Sequence, residues 1–130
     1  MYRIALFLLS AVLLVSCSSG EPTPEARAME AARQSYTALA QGDYEQFLAM
    51  RADVENMPSG YREELLTAYR QFVSQQTNAH GGIALVEALR AEADSTLRVM
   101  QVFLTLHYGD STHEEIVVPM VELNGQWKLK

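Results

Sequence analysis

Val99-Met100-Gln101-Val102-Phe103-Leu104-Thr105-Leu106-His107-Tyr108-Gly109-Asp110-Ser111-Thr112 marks where this chain changes period from helix to strand. β-Branched and aromatic residues crowd Thr96 to Tyr108, and Met100, Val102, Leu104, Leu106 and Tyr108 fall on alternate positions. Successive strand side chains point to opposite faces, so the spacing predicts a strand with one buried face. Gly109 to Thr112 supplies a turn, and His113 to Leu123 reads as the next strand. Asn124-Gly125 is a strong two-residue hairpin signal, because both turn positions want positive φ. Gln126 to Lys130 then returns alongside. Pro119 donates no ladder bond, which predicts an edge or a bulge at that point.

Upstream of the double glycine Gly81-Gly82 the spacing is helical. Thr23 can cap a helix, Pro24 suits its first turn and Glu25 complements its positive end. Met29, Ala32, Tyr36 and Leu39 follow at three- and four-residue steps, and Gly42 closes the run. Asp43 starts a short second helix with Gln46 as capping-box partner, and Tyr44, Phe47 and Leu48 face inward. Asn56 to Gly60, holding Pro58, is a turn, and Ser59 is the expected cap of a third helix. Tyr61, Leu65, Tyr69, Phe72 and Val73 form its stripe, and Asn78 with Gly81-Gly82 stops it. Ile83 to Glu92 is ambiguous: Ala, Leu and Glu favour helix, whereas the glycines before it and the meander after it favour strand, the reading preferred here. Three helices followed by an antiparallel meander make an α+β chain with the helices on one face of the sheet.

The start of the chain carries an address. Arg3 precedes an apolar run from Ile4 to Val15, 12 residues where a membrane-spanning helix needs about 20. Leu14-Val15-Ser16-Cys17 closes that run as a bacterial lipoprotein signal does, with the cysteine acylated and made the new N-terminus. Several acyl chains, at about 0.8 kcal/mol per buried methylene, anchor a protein where one chain does not. Ser18 stands where an Asp would resemble the class kept at the inner membrane, so the expected location is the outer membrane, facing the periplasm. The expected organisation is a signal peptide at 1–16, a lipidated tether at 17–23 and a single α+β domain at 24–130.

Loss of residues 1–16 leaves 114 of the 130 and, with Arg3 gone, moves the formal charge from −6 to −7. Such a chain is long enough for one real core. Its acidity argues against nucleic acid, whose phosphates reward Lys and Arg. Cys17 is the only cysteine, so an exported domain must be held by its core, without disulfide, thiol nucleophile or cysteine-based metal site.

Tyr36-Thr37-Ala38-Leu39-Ala40-Gln41-Gly42-Asp43-Tyr44-Glu45 resembles the opening helix pair of small bacterial lipoproteins in the nuclear-transport-factor-like, or cystatin-like, superfamily, most similar to an uncharacterised lipoprotein family. The likeness continues through Gly81-Gly82-Ile83, Val102 to Asp110, and Asn124-Gly125-Gln126-Trp127-Lys128-Leu129. It implies a strongly curved sheet wrapped around a long helix as a cone whose open end can hold a ligand. It also supports 83–92 as strand. Pro119 departs from the pattern.

Enzymes of that superfamily, such as ketosteroid isomerases and scytalone dehydratases, place carboxylates, histidines or tyrosines inside the cone, which demands an acid and a base with separated pKa values in one dry pocket. No Asp or Glu here is assignable to such a place. Gln101, Thr105 and His107 share the strand face opposite the apolar one, a solvated outer face by default. The expected pocket lining is Tyr36, Phe47, Tyr69, Phe72, Gln101 and His107, set against the plainer reading of the aromatics, Tyr44, Tyr61 and Trp127 among them, as core. His107, His113, Glu114 and Glu115 cluster at one hairpin, but adjacent glutamates point to opposite faces and too few ligands converge for zinc. No metal and no cofactor is expected. The expected role is non-enzymatic: binding a small ligand in the cone or an envelope protein. An isomerase- or dehydratase-like enzyme, or a structural protein docking through the sheet as a homodimer, are the alternatives.

Overall fold

The computed structural model describes residues 20–130; the expected signal peptide and Cys17 lie outside them. Its elements run α1 (Pro24–Ala40), α2 (Tyr44–Ala49), a 3-10 turn (Val54–Asn56), α3 (Ser59–His80), β1 (Ile83–Asp94), β2 (Val99–Tyr108), β3 (His113–Leu123) and β4 (Gln126–Leu129). The ambiguous segment is a strand, two residues longer than its expected end. Among the described residues no helix is long and apolar enough to cross a membrane.

Alternation builds the sheet. Met100, Val102, Leu104, Leu106 and Tyr108 are buried on the face that meets the helices, joined by Val86, Val118, Met120 and Leu129. Each such aliphatic side chain contributes about 1.5–3 kcal/mol on full burial. The four strands form one antiparallel meander in the order β1-β2-β3-β4. Two register shifts in β1, at Ile83/Leu85 and Ala88/Arg90, insert an extra residue each and bend the sheet. Helices therefore pack against a curved four-stranded sheet.

α1 supplies the buried stripe from small residues. Ala28, Ala32, Ser35 and Leu39 are buried, one position rotated from the expected stripe, with Met29 and Tyr36 half-buried at its flanks. Small side chains let the helix lie close to the sheet, and Ser35 returns its hydroxyl to the Ala31 carbonyl at 2.7 Å. Thr23 caps α1, accepting from the Ala26 amide at 3.1 Å. Asp43 caps α2 through the Gln46 amide at 3.2 Å. The reciprocal half of that capping box is absent, because the Asp43 amide already donates to the Ala38 carbonyl at 2.9 Å.

Two details of α3 depart from expectation. Ser59 is its first residue, and Pro58 holds the cap position without a side-chain bond. Proline fits there because its missing N–H would have had no intrahelical partner. Tyr61 is exposed, and the buried residue is Leu66, so the helix is turned slightly from the expected stripe. Gly81 ends α3 at φ 76, and its carbonyl lies so close to Gly109 that an added Cβ there would come within 2.5 Å. Gly109 donates to Gly82 O at 2.9 Å and Asp110 to His80 O at 2.9 Å, fastening the end of α3 to the β2–β3 hairpin.

Pro119 causes no bulge. It pairs with Gln101 in an unbroken β2–β3 register. Its carbonyl accepts from Lys130 at 3.1 Å, so its N side faces β4 as well, just past the last β3–β4 pair, Met120↔Leu129. The β2 ladder loses nothing; β3 lies between β2 and β4, so the expected edge is not found, and Pro119 is accommodated where the β4 pairing runs out. Asn124 (φ 52) and Gly125 (φ 76) form the expected tight turn.

Candidate functional site

Three helical elements, the middle of β3 and the end of β4 border a half-open cavity of about 220 Å³. α1 contributes Tyr36, α2 contributes Phe47 and α3 contributes Tyr69; Val118 and Pro119 of β3 with Leu129 and Lys130 face them. Phe47 stands between the tyrosines, edge-to-face with Tyr36 (5.2 Å, 81°) and with Tyr69 (4.8 Å, 85°). These geometries suit the ring quadrupoles and hold the rings rigidly.

Arg51 completes the wall. The chain leaving α2 is stitched to β4 by a parallel bridge: Leu129 donates to Met50 O at 2.8 Å and Ala52 donates to Leu129 O at 2.7 Å. That fixes the Arg51 backbone. Its guanidinium is then oriented by Asp53, with Nε to Oδ1 and Nη2 to Oδ2 both at 2.9 Å. The pairing pushes the Arg51 pKa further up and holds the Asp53 carboxyl below its ordinary value, in both cases chiefly through these hydrogen bonds. Guanidinium has five N–H donors, so three remain after Asp53 takes two.

The Tyr69 hydroxyl is buried without a hydrogen-bond partner among the described residues. Burial pushes its pKa up, and the nearby Arg51 guanidinium opposes that push. Tyr36 is also pushed up, by burial and then by the charge Tyr69 would carry. Both phenols therefore stay protonated at neutral pH and remain able to donate. Every charged side chain lining the cavity, Arg51 and Lys130, is cationic, on a chain of net charge −6.

Of the residues expected to line a pocket, Tyr36, Phe47 and Tyr69 come together here. Phe72 packs against the same core but does not line the cavity. Gln101 and His107 lie on the opposite face of the sheet from the helices: the even-numbered residues of β2 take the buried face and leave these two to the other. There His107 Nε2 meets Glu87 at 2.9 Å, its ring sits 6.0 Å from that of His113, and Arg90 covers the Phe103 ring at 3.8 Å. Glu114 and Glu115 part as alternation requires, Glu114 accepting the Tyr108 hydroxyl at 2.8 Å and Glu115 meeting Arg90 at 3.5 Å. Arg51, Pro119 and Lys130 were not foreseen; the Arg-x-Asp spacing of Arg51 and Asp53 was the one local cue.

A second, shallower groove of about 350 Å³ runs past Trp127, bordered by Arg27, Met50 and Lys128. The Trp127 indole N–H is buried and has no partner among the described residues, while its ring packs against the core. Arg27 is engaged with Glu122 at 3.4 Å.

The sequence matches no family model and no curated protein. Among solved structures, the chain is similar to a Campylobacter jejuni protein described as an NTF2-like transpeptidase: TM-score 0.62 at 8% identity, covering 77% of this chain and 94% of that one. The chain has the nuclear-transport-factor-like α+β fold.

Proposed function

We propose that this chain is a small-molecule binding domain, held by lipid on Cys17 at the outer membrane and facing the periplasm, and that the aromatic cavity is its binding site. The observation that carries this reading is the buried, unpartnered Tyr69 hydroxyl beside an Arg51 that Asp53 holds in place with donors to spare. A rigid aromatic wall with a few fixed polar groups is the usual make-up of a ligand site. The anchor reading rests on the apolar run ending at Cys17 and on the lipoprotein resemblance.

An isomerase- or dehydratase-like role is the weaker reading. Among the lining residues there is no Asp, Glu or His to move a proton, and tyrosines whose pKa is raised are poor bases. The word transpeptidase belongs to the neighbour. Acyl transfer of that kind needs a nucleophile, and the lining offers no Ser, Thr or Cys.

Native mass spectrometry of the full chain, purified from its own envelope in mild detergent, tests the reading. An added discrete mass, lost on denaturation, is the expected result. A bare monomer in that experiment and in every ligand titration would overturn it, and a bare dimer would favour docking through the sheet.

A further inference from the structure

We infer that the ligand is a small monoanion, a carboxylate on a compact apolar body, with Arg51 and Tyr69 holding the carboxylate. This deepens the binding reading and rests on it. Three observations converge. Asp53 balances the charge of Arg51 yet leaves three of its N–H groups unused, so the guanidinium still offers the fork that carboxylates accept. Tyr69 adds an O–H with no partner among the described residues. Lys130 also belongs to the lining, and its ammonium disfavours a cation.

Size and wall chemistry set the remainder of the molecule. At about 220 Å³ the cavity is below the ~300–1,000 Å³ of drug-sized sites and matches about seven waters by their share of liquid volume. Phe47, Tyr36, Val118 and Pro119 supply the apolar part of the wall, so the body that packs on them is apolar, and a planar ring or short chain fits it. The carboxylate replaces water at donors that are already fixed, so little ordering opposes binding.

The test is an NMR or calorimetric titration of the full chain with benzoate, its neutral isostere benzamide, and benzylamine as the cation. Benzoate is expected to bind saturably and at least ten-fold more tightly than benzamide, with no saturation by benzylamine. Arg51→Gln should weaken benzoate at least ten-fold and leave benzamide unchanged, and Tyr69→Phe should weaken benzoate several-fold. If Arg51→Gln fails to fold, Tyr69→Phe and Lys130→Gln carry the comparison. Equal binding of benzoate and benzamide, or benzoate binding indifferent to all three substitutions, overturns the anion inference while the binding domain stands. An endogenous ligand that proves neutral or cationic overturns it in the same way. If no probe binds and no mass co-purifies, both readings fall together.

Discussion

Tyr69 keeps its ring in the aromatic cluster and its hydroxyl without a partner among the described residues, which separates the demands of packing from those of binding. Tyr69→Phe retains the ring and removes the unsatisfied group. Unfolding stability should then rise by about 1 kcal/mol, read as a higher urea midpoint at constant slope. A fall would mean the hydroxyl is stably bonded in the folded protein. Gly109 answers to a different constraint, because any Cβ there meets the Gly81 carbonyl at 2.5 Å and backbone cannot swing aside. Gly109→Ala should cost about 1–3 kcal/mol, a drop of roughly 4–8 °C in Tm per kcal/mol. Sequence reading recognised Gly109 as a turn residue; the close approach belongs to a partner on another element and left no local trace. Arg51 was hidden for the same reason, since a pairing with Leu129 sets its position.

Helix ends and strand periods were the legible parts at the level of elements. Thr23 and Asp43 cap where they were expected to because their side chains reach amides in the following turn. Thr23→Ala should cost about 0.5–2 kcal/mol, measurable by chemical denaturation. Ser59 was misplaced by one residue because its cap chemistry and the N-terminal preference of Pro58 point to adjacent starts. The junction of α3 with the β2–β3 hairpin is a polar latch: His80 Nδ1 meets Asp110 at 3.1 Å and its ring stacks on Tyr108 at 4.7 Å. The Asp110 carboxyl lies below its ordinary 3.8, mainly through bonds from Thr112 and secondarily through His80. A folded-state value below the unfolded one gives stability that is full above the unfolded pKa and lost as pH falls through the folded pKa. Asp110→Asn should therefore flatten the acid end of the stability–pH curve below about 3.8 and lower stability at neutral pH. Equal slopes for the two proteins would show that the latch carries no linked proton.

The whole molecule was legible as a class and less so as a surface. Alternation in β2 showed that one face is buried, but nothing in a single strand says which side the helices occupy, so Gln101 and His107 were expected in a cavity from which the sheet excludes them. Cys17 sets a prediction at this scale: Cys17→Ser should move the protein from the membrane fraction to the soluble one, since no other acylation site remains for stable anchoring. Equal membrane association by sedimentation would refute the anchor. The bridge between Arg51 and Leu129 has a consequence in time as well as in space. The cavity draws Tyr36, Phe47 and Arg51 from early in the chain and Val118 to Lys130 from its late part, so it exists only after the longest loops have closed and their entropy has been surrendered. A molecule that recognises this cavity meets only chains that have finished folding. It would leave the refolding rate untouched and slow unfolding instead, by an equilibrium stabilisation of about 2.7 kcal/mol at a hundred times its Kd. Occupancy would then act as a seal of completion, lengthening the life of each finished copy of a chain whose single cysteine can close no internal disulfide.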